Sequence, residues 1–453
     1  MEGSRQYGRA LLLGVLCLWP SCVARKQVCT SWSPLSQSAC PLADDAVAKL
    51  EELLDARLAG QKLAGLAVRK AIAQNVERYM KGRVRKRDKL ASYVLGFPHS
   101  IMHESEKTSK STKRPETLFL HFSGPTGVGK SLTASLISQA LFDTTGKGCG
   151  VISINLNELR SFKPWQPRSR EFLSETLQTI KDQLALCPRS VFVLDEIQSV
   201  HRDLVDELVA FFLPHGLKKH GLSVAYAVVI LISDLGSERL EPNMARADAV
   251  TAISAAAQSR FGSGGGGAGM DATTETVLMR NLVPFLPLSK DELAQVAVLQ
   301  LGTLLAQLRT EFGDSWRGKL TWQPHVARAM ADRCFQEKAT CYSEGGRGIE
   351  SKVNHDLQGD VEALIVQCLN LAESEAAGGK GKAGRHSALC FDNVDVRVAR
   401  RGRGEEGEGE RGEHGDLEVV LDGVYGKDEF EGYHERERST ERAAGGGGVS
   451  AEL

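Results

Sequence analysis

Gly124-Pro125-Thr126-Gly127-Val128-Gly129-Lys130-Ser131 is the stretch whose reading decides the fold. The apolar run 118–122 leads into it and the amphipathic run 132–141 leads out, so it lies between a buried strand and a helix. Glycines in that place let backbone N–H groups close around phosphate oxygens at a helix N-terminus. The lysine that follows reaches the terminal phosphates, and the next hydroxyl holds Mg²⁺. Residues 124–131 therefore read as a phosphate-binding loop for ATP, with Ser131 as a metal ligand.

Working outward, the apolar runs 118–122, 151–154, 191–194 and 225–232 alternate with amphipathic stretches, which is the pattern of a parallel α/β sheet flanked by helices. The third run ends in Asp195-Glu196. One βα unit beyond a phosphate loop, Asp195 supports Mg²⁺ through water and Glu196 serves as the base that polarises the attacking water. The fourth run ends Ser233-Asp234, and Asp234 would orient that water between the two motifs. After a glycine-rich loop at 261–275, Ser289-Lys290-Asp291-Glu292 is a capping box. Leu293, Val296, Ala297, Leu301, Leu304, Leu305 and Leu308 then make one apolar helical face. Further helices expected near 323–336 and 349–371 complete a small α-helical lid at 289–372.

The 453 residues, 42% hydrophobic and 25% charged, exclude a wholly disordered chain and a mini-protein. Lys and Arg number 56 against 57 Asp and Glu, so there is no global field for nucleic acid or an anionic membrane. The local run Arg83-Val84-Arg85-Lys86-Arg87 reads either as a basic patch or as a solvated loop within a linker at 81–116. No nucleic-acid partner is expected.

Arg5 and Arg9 precede the apolar run 10–20, and Cys22-Val23-Ala24 offers small residues to a signal peptidase, so residues 1–24 read as a secretory signal. After its removal no segment approaches the roughly 20 apolar residues of a membrane span. A Cys/Ser/Pro-rich segment follows at 25–42, and the large nucleotide-binding domain is expected at 43–288. Cys29, Cys40, Cys149, Cys187, Cys334, Cys341, Cys368 and Cys390 are an even set that an oxidising lumen could pair. No cysteine or histidine spacing matches a zinc site. Residues 373–453, rich in Gly, Arg and Glu, read as a mostly disordered tail with a possible strand at 417–421.

Gly60-Gln61 in a helical lead-in, the 124–131 loop, Cys187-Pro188-Arg189-Ser190 before the strand ending Asp195-Glu196, Ser233-Asp234-Leu235-Gly236-Ser237, and Val283-Pro284-Phe285-Leu286-Pro287-Leu288 resemble the torsins. These are a lumenal branch of the AAA+ ATPases close to the Clp unfoldases. The resemblance covers about residues 43–372. It implies a P-loop AAA+ domain with a helical lid, ATP with Mg²⁺, and residence in the lumen of the endoplasmic reticulum or nuclear envelope. It also implies a protein client, ring-like homo- or hetero-oligomers, and a membrane-anchored lumenal activator that supplies an arginine finger. Carried over by position, Leu58, Gly60 and Gln61 would flank the adenine. Arg347, in Gly345-Gly346-Arg347, would be the lid's cation near the γ-phosphate, coupling lid position to nucleotide state.

Departures from the torsin pattern bear on activity. Ser131 and Gly346-Arg347 are nearer the Clp pattern, and the usual cysteine beside Arg347 is missing, with Cys341 at best a displaced substitute. Asp234 replaces an asparagine, exchanging a donor-acceptor for an acceptor that repels the γ-phosphate when ionised. The finger position before Val283 reads Val277-Leu278, with Arg280 as an in-cis candidate. Phe162-Lys163-Pro164-Trp165 lies where Clp unfoldases grip substrate, and reads either that way or as a loop anchor. Cys187 reads as a buried thiol or as a partner of Cys29 or Cys40. Three functions follow: a torsin-like ATPase that remodels proteins, a nucleotide-gated scaffold with negligible hydrolysis, or an organellar Clp-type unfoldase.

Overall fold

The structure, a computed structural model, describes residues 42–43, 45–95, 117–142, 150–160, 165–220, 226–261, 271–313, 319–322, 325–337, 341–359, 361–363, 365–366, 393–399 and 416–422. The expected signal, residues 162–164, the glycine run 262–270 and most of the tail lie outside the described residues.

Five strands form a parallel sheet: β1 (Leu118–Ser123), β2 (Val151–Asn155), β3 (Val191–Asp195), β4 (Val228–Ser233) and β5 (Leu282–Pro284), in the order β2-β3-β4-β1-β5. The first four are those the apolar runs predict. The short β5 is an addition to them. It ends in Pro284 at the sheet edge, where a missing N–H is tolerated. Strand alternation divides the side chains between two cores. Leu118, Leu120 and Phe122 join Val228, Ile230 and Ile232 on one face, and Phe119 joins Val229 and Leu231 on the other.

The first face is covered by α1 (Ala46–Arg57), α2 (Lys62–Leu95) and α3 (Lys130–Phe142), through Leu50 and Leu54 of α1 and Ala64, Val68 and Ile72 of α2 at helical spacing. The second is covered by α4 (Pro167–Leu186), α5 (Arg202–Phe212), α6 (Pro214–Lys219), α7 (Arg246–Phe261) and α8 (Ala272–Arg280). Two expected loops are therefore shorter than the sequence suggests. Helix α2 runs through the basic stretch to Leu95, because residues 81–95 contain no proline and are mostly helix-forming Lys, Arg, Leu and Ala. The glycine-rich segment begins after α7 ends at Phe261 and is over by Ala272, where Asp271 caps α8 with its side chain.

The lid continues the first core. In α9 (Lys290–Phe312) the capping box forms in both directions between Ser289 and Glu292, and Leu293, Ala297, Leu301, Leu304 and Leu308 are buried. Helices α10 (Val326–Gln336) and α11 (Gly346–Lys352) pack against it, and α11 runs on into a π-helical turn over Val353–Gln358. A disulfide joins Cys334 to Cys341, bracing the end of α10 against the turn before Gly345. Cys341 is thus paired, and is no substitute for a free cysteine beside Arg347. Cys187 is also disulfide-bonded, which removes the free-thiol reading.

The lid carries a second sheet that composition alone conceals. Strand β6 (Lys319–Trp322) pairs in parallel with β7 (Asn393–Ala399), which pairs antiparallel with β8 (Asp416–Asp422). The expected strand at 417–421 is β8. Strand β7 reads Val394, Val396, Val398 with period two, a signal overshadowed by the Gly, Arg and Glu around it.

Candidate functional site

The phosphate loop leaves the carboxyl end of β1 and enters α3 at Lys130, so the free N–H groups of the helix start face the loop. Gly127 adopts φ +72°, and a Cβ there would lie 1.7 Å from the carbonyl oxygen of Glu344. Only glycine fits. The Lys130 ammonium donates to the carbonyls of Gly124 and Pro125. Burial pulls its pKa down to about 8, against the opposing pull of Asp234, Asp195 and Glu196.

Strand β3 delivers Asp195 and Glu196 to the same end of the sheet. Burial raises the Asp195 carboxyl above the usual range, with the Glu196 N–H, Lys130 and Arg347 opposing. The Glu196 N–H donates to Asp195 Oδ1 at 3.0 Å. Glu196 sits in left-handed backbone at φ 64°, an uncommon conformation for a residue with a side chain and one that clusters at functional sites. Gln198 Nε2 donates to its carboxylate, and Arg260 at the end of α7 holds the Gln198 and Val200 carbonyls. Strand β4 ends in buried Ser233, and exposed Asp234 follows it.

These elements meet at a cavity of about 750 Å³, within the range of small-molecule sites. Thr126, Gly127, Val128, Gly129, Lys130 and Ser131 line it, as do Asp195, Glu196 and Asp234, with Leu58 on one side and Arg347 from the lid on another. Gly124 and Pro125 lie at the base of the loop and do not line it.

Neither Gly60 nor Gln61 lines the cavity. Gly60, at φ +74°, turns the chain between α1 and α2 beneath Glu292. Gln61 is buried and pairs with the backbone of Leu286 in both directions, Nε2 to the carbonyl at 2.8 Å and Oε1 from the N–H at 3.1 Å. Its part is to tie α2 to the segment after β5. Residues that sequence reasoning missed include Arg57, Gln300, Thr303 and Glu350. Gln300 and Thr303 lie along the edge of the apolar stripe of α9 beside half-buried Val296, polar positions that periodicity alone does not mark as part of a site. Arg280 ends α8 and is absent from the cavity wall. Trp165 is 69% exposed.

Among the described residues no cluster of three or more His, Cys, Asp or Glu forms a metal cage. The cavity fits a different arrangement. Mg²⁺ takes hard oxygen ligands and binds through one or two carboxylates plus substrate phosphates. The Ser131 hydroxyl and Asp195 carboxylate, both on the wall beside the glycine cradle, are such a donor set.

A parallel α/β sheet with a phosphate loop after β1 and paired carboxylates after β3 is the arrangement of a P-loop AAA+ domain. Residues 120–253 match the family model described as "ATPase family associated with various cellular activities (AAA)". The chain is 23% identical over 306 residues to the chaperone protein ClpB of Chlamydia muridarum (strain MoPn / Nigg), covering 63% of this chain and 33% of that protein. ClpB of Chlamydia pneumoniae is 23% identical over 311 residues, with the same coverage. ClpB of Pseudomonas putida is 26% identical over 279 residues, covering 57% of this chain and 26% of its own length. The chain thus spans about a third or less of these relatives. It carries an AAA+ ATPase domain.

Proposed function

We propose that the protein is a torsin-like AAA+ ATPase of the endoplasmic reticulum or nuclear envelope lumen that uses ATP to remodel protein partners. One observation carries the ATPase part: Lys130, Asp195, Glu196, Asp234 and Arg347, from four distant segments, share one cavity. Lys130 and the 127–129 backbone bind the β- and γ-phosphates. Ser131 and Asp195 would hold Mg²⁺, which when bound neutralises charge developing on the phosphates. Glu196 takes a proton from the attacking water and Asp234 orients that water. Arg347 reports the γ-phosphate to the lid. A protein client is supported by the likeness to chaperones. The lumenal site is supported by the signal-like residues 1–24 and by the Cys334–Cys341 disulfide. No helix among the described residues is long and apolar enough to cross a membrane. The absence of Arg280 from the cavity supports an arginine supplied by a partner, either a lumenal activator or a neighbouring subunit in a ring.

Asp234 favours a second reading, a nucleotide-gated scaffold with negligible hydrolysis, because an ionised carboxylate beside the γ-phosphate opposes the transition-state charge. ATP turnover by residues 25–453, alone and with lumenal membrane extract, tests both, with Lys130→Ala as the blank. Stimulation by the extract, lost in Glu196→Gln, is expected. Equal turnover by wild type and Glu196→Gln under both conditions would leave the scaffold. Strong turnover without extract would point to a self-sufficient Clp-type machine. A carboxy-terminal tag seen outside the secretory system would overturn the lumenal assignment.

A further inference from the structure

His121 stands on β1, an interior strand between β4 and β5, with its side chain in the core, 1% exposed, where an apolar residue is expected. A histidine there needs a reason. Its Nε2 lies 2.8 Å from Ser233 Oγ, Ser233 Oγ lies 3.0 Å from Ser123 Oγ, and Ser123 Oγ lies 2.8 Å from the carbonyl oxygen of Leu235. Both serines are fully buried. They are also register partners across β1 and β4.

The direction of this chain follows from its end. A carbonyl only accepts, so Ser123 donates to Leu235. Having one proton, Ser123 must accept from Ser233, and Ser233 must accept from His121. The ring is therefore the Nε2–H tautomer. Burial holds it neutral, with its pKa lowered to about 4. The Leu278 carbonyl favours a proton on the ring, but Nδ1 makes no hydrogen bond to it.

The chain ends where the nucleotide site begins. Ser123 immediately precedes Gly124, while Ser233 and Leu235 flank Asp234. The backbone adds to this frame: the Gly124 N–H reaches the Ser233 carbonyl at 3.4 Å and the Phe285 N–H donates to the Ser123 carbonyl at 2.8 Å. Ser233 and Asp234 line the cavity, and His121 does not. We propose that His121 is a positioning residue of the nucleotide site. Through the hydroxyls of Ser233 and Ser123 it fixes the loop carrying Asp234 against the base of the phosphate loop. This rests on the ATPase reading above for its catalytic consequence, though the hydrogen-bond chain itself does not. A misplacement of about 1 Å is enough to cost about a hundredfold in rate.

The test uses the full chain with ¹⁵N-labelled histidine, and His121→Gln to assign the ring, since a glutamine amide reaches the Nε2 position. The expected spectrum is a neutral Nε2–H tautomer whose resonance moves on adding MgADP, and does not move in Ser233→Ala. In parallel, His121→Ala should lower ATP turnover per folded molecule about tenfold or more. Nucleotide affinity should change little, and His121→Gln should recover much of the turnover. An Nδ1–H tautomer, or a ring indifferent to MgADP, would overturn the proposal. So would turnover that tracks only the loss of melting temperature, with His121→Gln no better than His121→Ala. If wild type turns over no faster than Lys130→Ala, the ATPase reading fails on that comparison. The ring spectrum and its response to MgADP then still decide the positioning chain.

Discussion

The Gly346 N–H donates to the Gly127 carbonyl at 2.9 Å, so the lid turn bearing Arg347 is bonded directly to the middle of the phosphate loop. Lid and loop are thereby one mechanical unit, and the glycine at 127 permits it. Gly127→Ala should break the unit, since its Cβ collides with the Glu344 carbonyl and its φ of +72° costs about 1 kcal/mol for alanine. Hydrogen exchange at Gly346 and neighbouring amides should accelerate, and nucleotide affinity should fall. Unchanged exchange there would show that the turn is held by the lid alone.

Lys130 makes nucleotide binding sensitive to alkali. With the ammonium's pKa lowered to about 8 by burial, the free protein loses this charge as pH rises through that value. Phosphate favours the charged form, so affinity for ATP should be flat below pH 8 and then fall by at most about tenfold per pH unit. Calorimetric titration from about pH 7 to about pH 9.5 checks this, and Lys130→Ala should remove the slope as well as most of the affinity.

Gln61 should prove structural. Gln61→Ala leaves the Leu286 N–H and carbonyl without their side-chain partner in a partly buried place, a loss of about 1–3 kcal/mol. The melting temperature should drop while nucleotide affinity, measured where the variant is folded, stays near wild type. Affinity lost without stability would restore Gln61 to the adenine.

His121 predicts a stability that weakens in mild acid. Its pKa is lowered to about 4 in the fold against 6.5 outside it, so below pH 6.5 the unfolded chain binds the proton and the native one does not. The contribution is complete above pH 6.5 and is lost as pH falls towards 4, up to about 3 kcal/mol. Denaturant unfolding of wild type and His121→Gln across that range should show stability falling more steeply with acid in wild type than in the variant.

The sequence by itself determined the structure that is local. The turn from β1 into α3, the placing of Asp195-Glu196 at the end of β3, four strands and the Ser289 capping box depend on neighbours a few residues apart, and each formed where its pattern predicted. Period and turn chemistry act over that range. The tertiary structure alone decided what depends on residues far apart in the chain. Gln61 turned from a nucleotide contact into a clamp because its partner, Leu286, is 225 residues away. Strand β7 formed inside a polar tail because β6 and β8 were there to pair with it. The edge of the α9 stripe, with Val296, Gln300 and Thr303, became a cavity wall because the lid folds back over the sheet. His121 reads in sequence as an odd residue in an apolar strand. It gains a purpose only when β4 brings Ser233 alongside, 112 residues on, and a buried ring nitrogen finds the hydroxyl that offsets its desolvation.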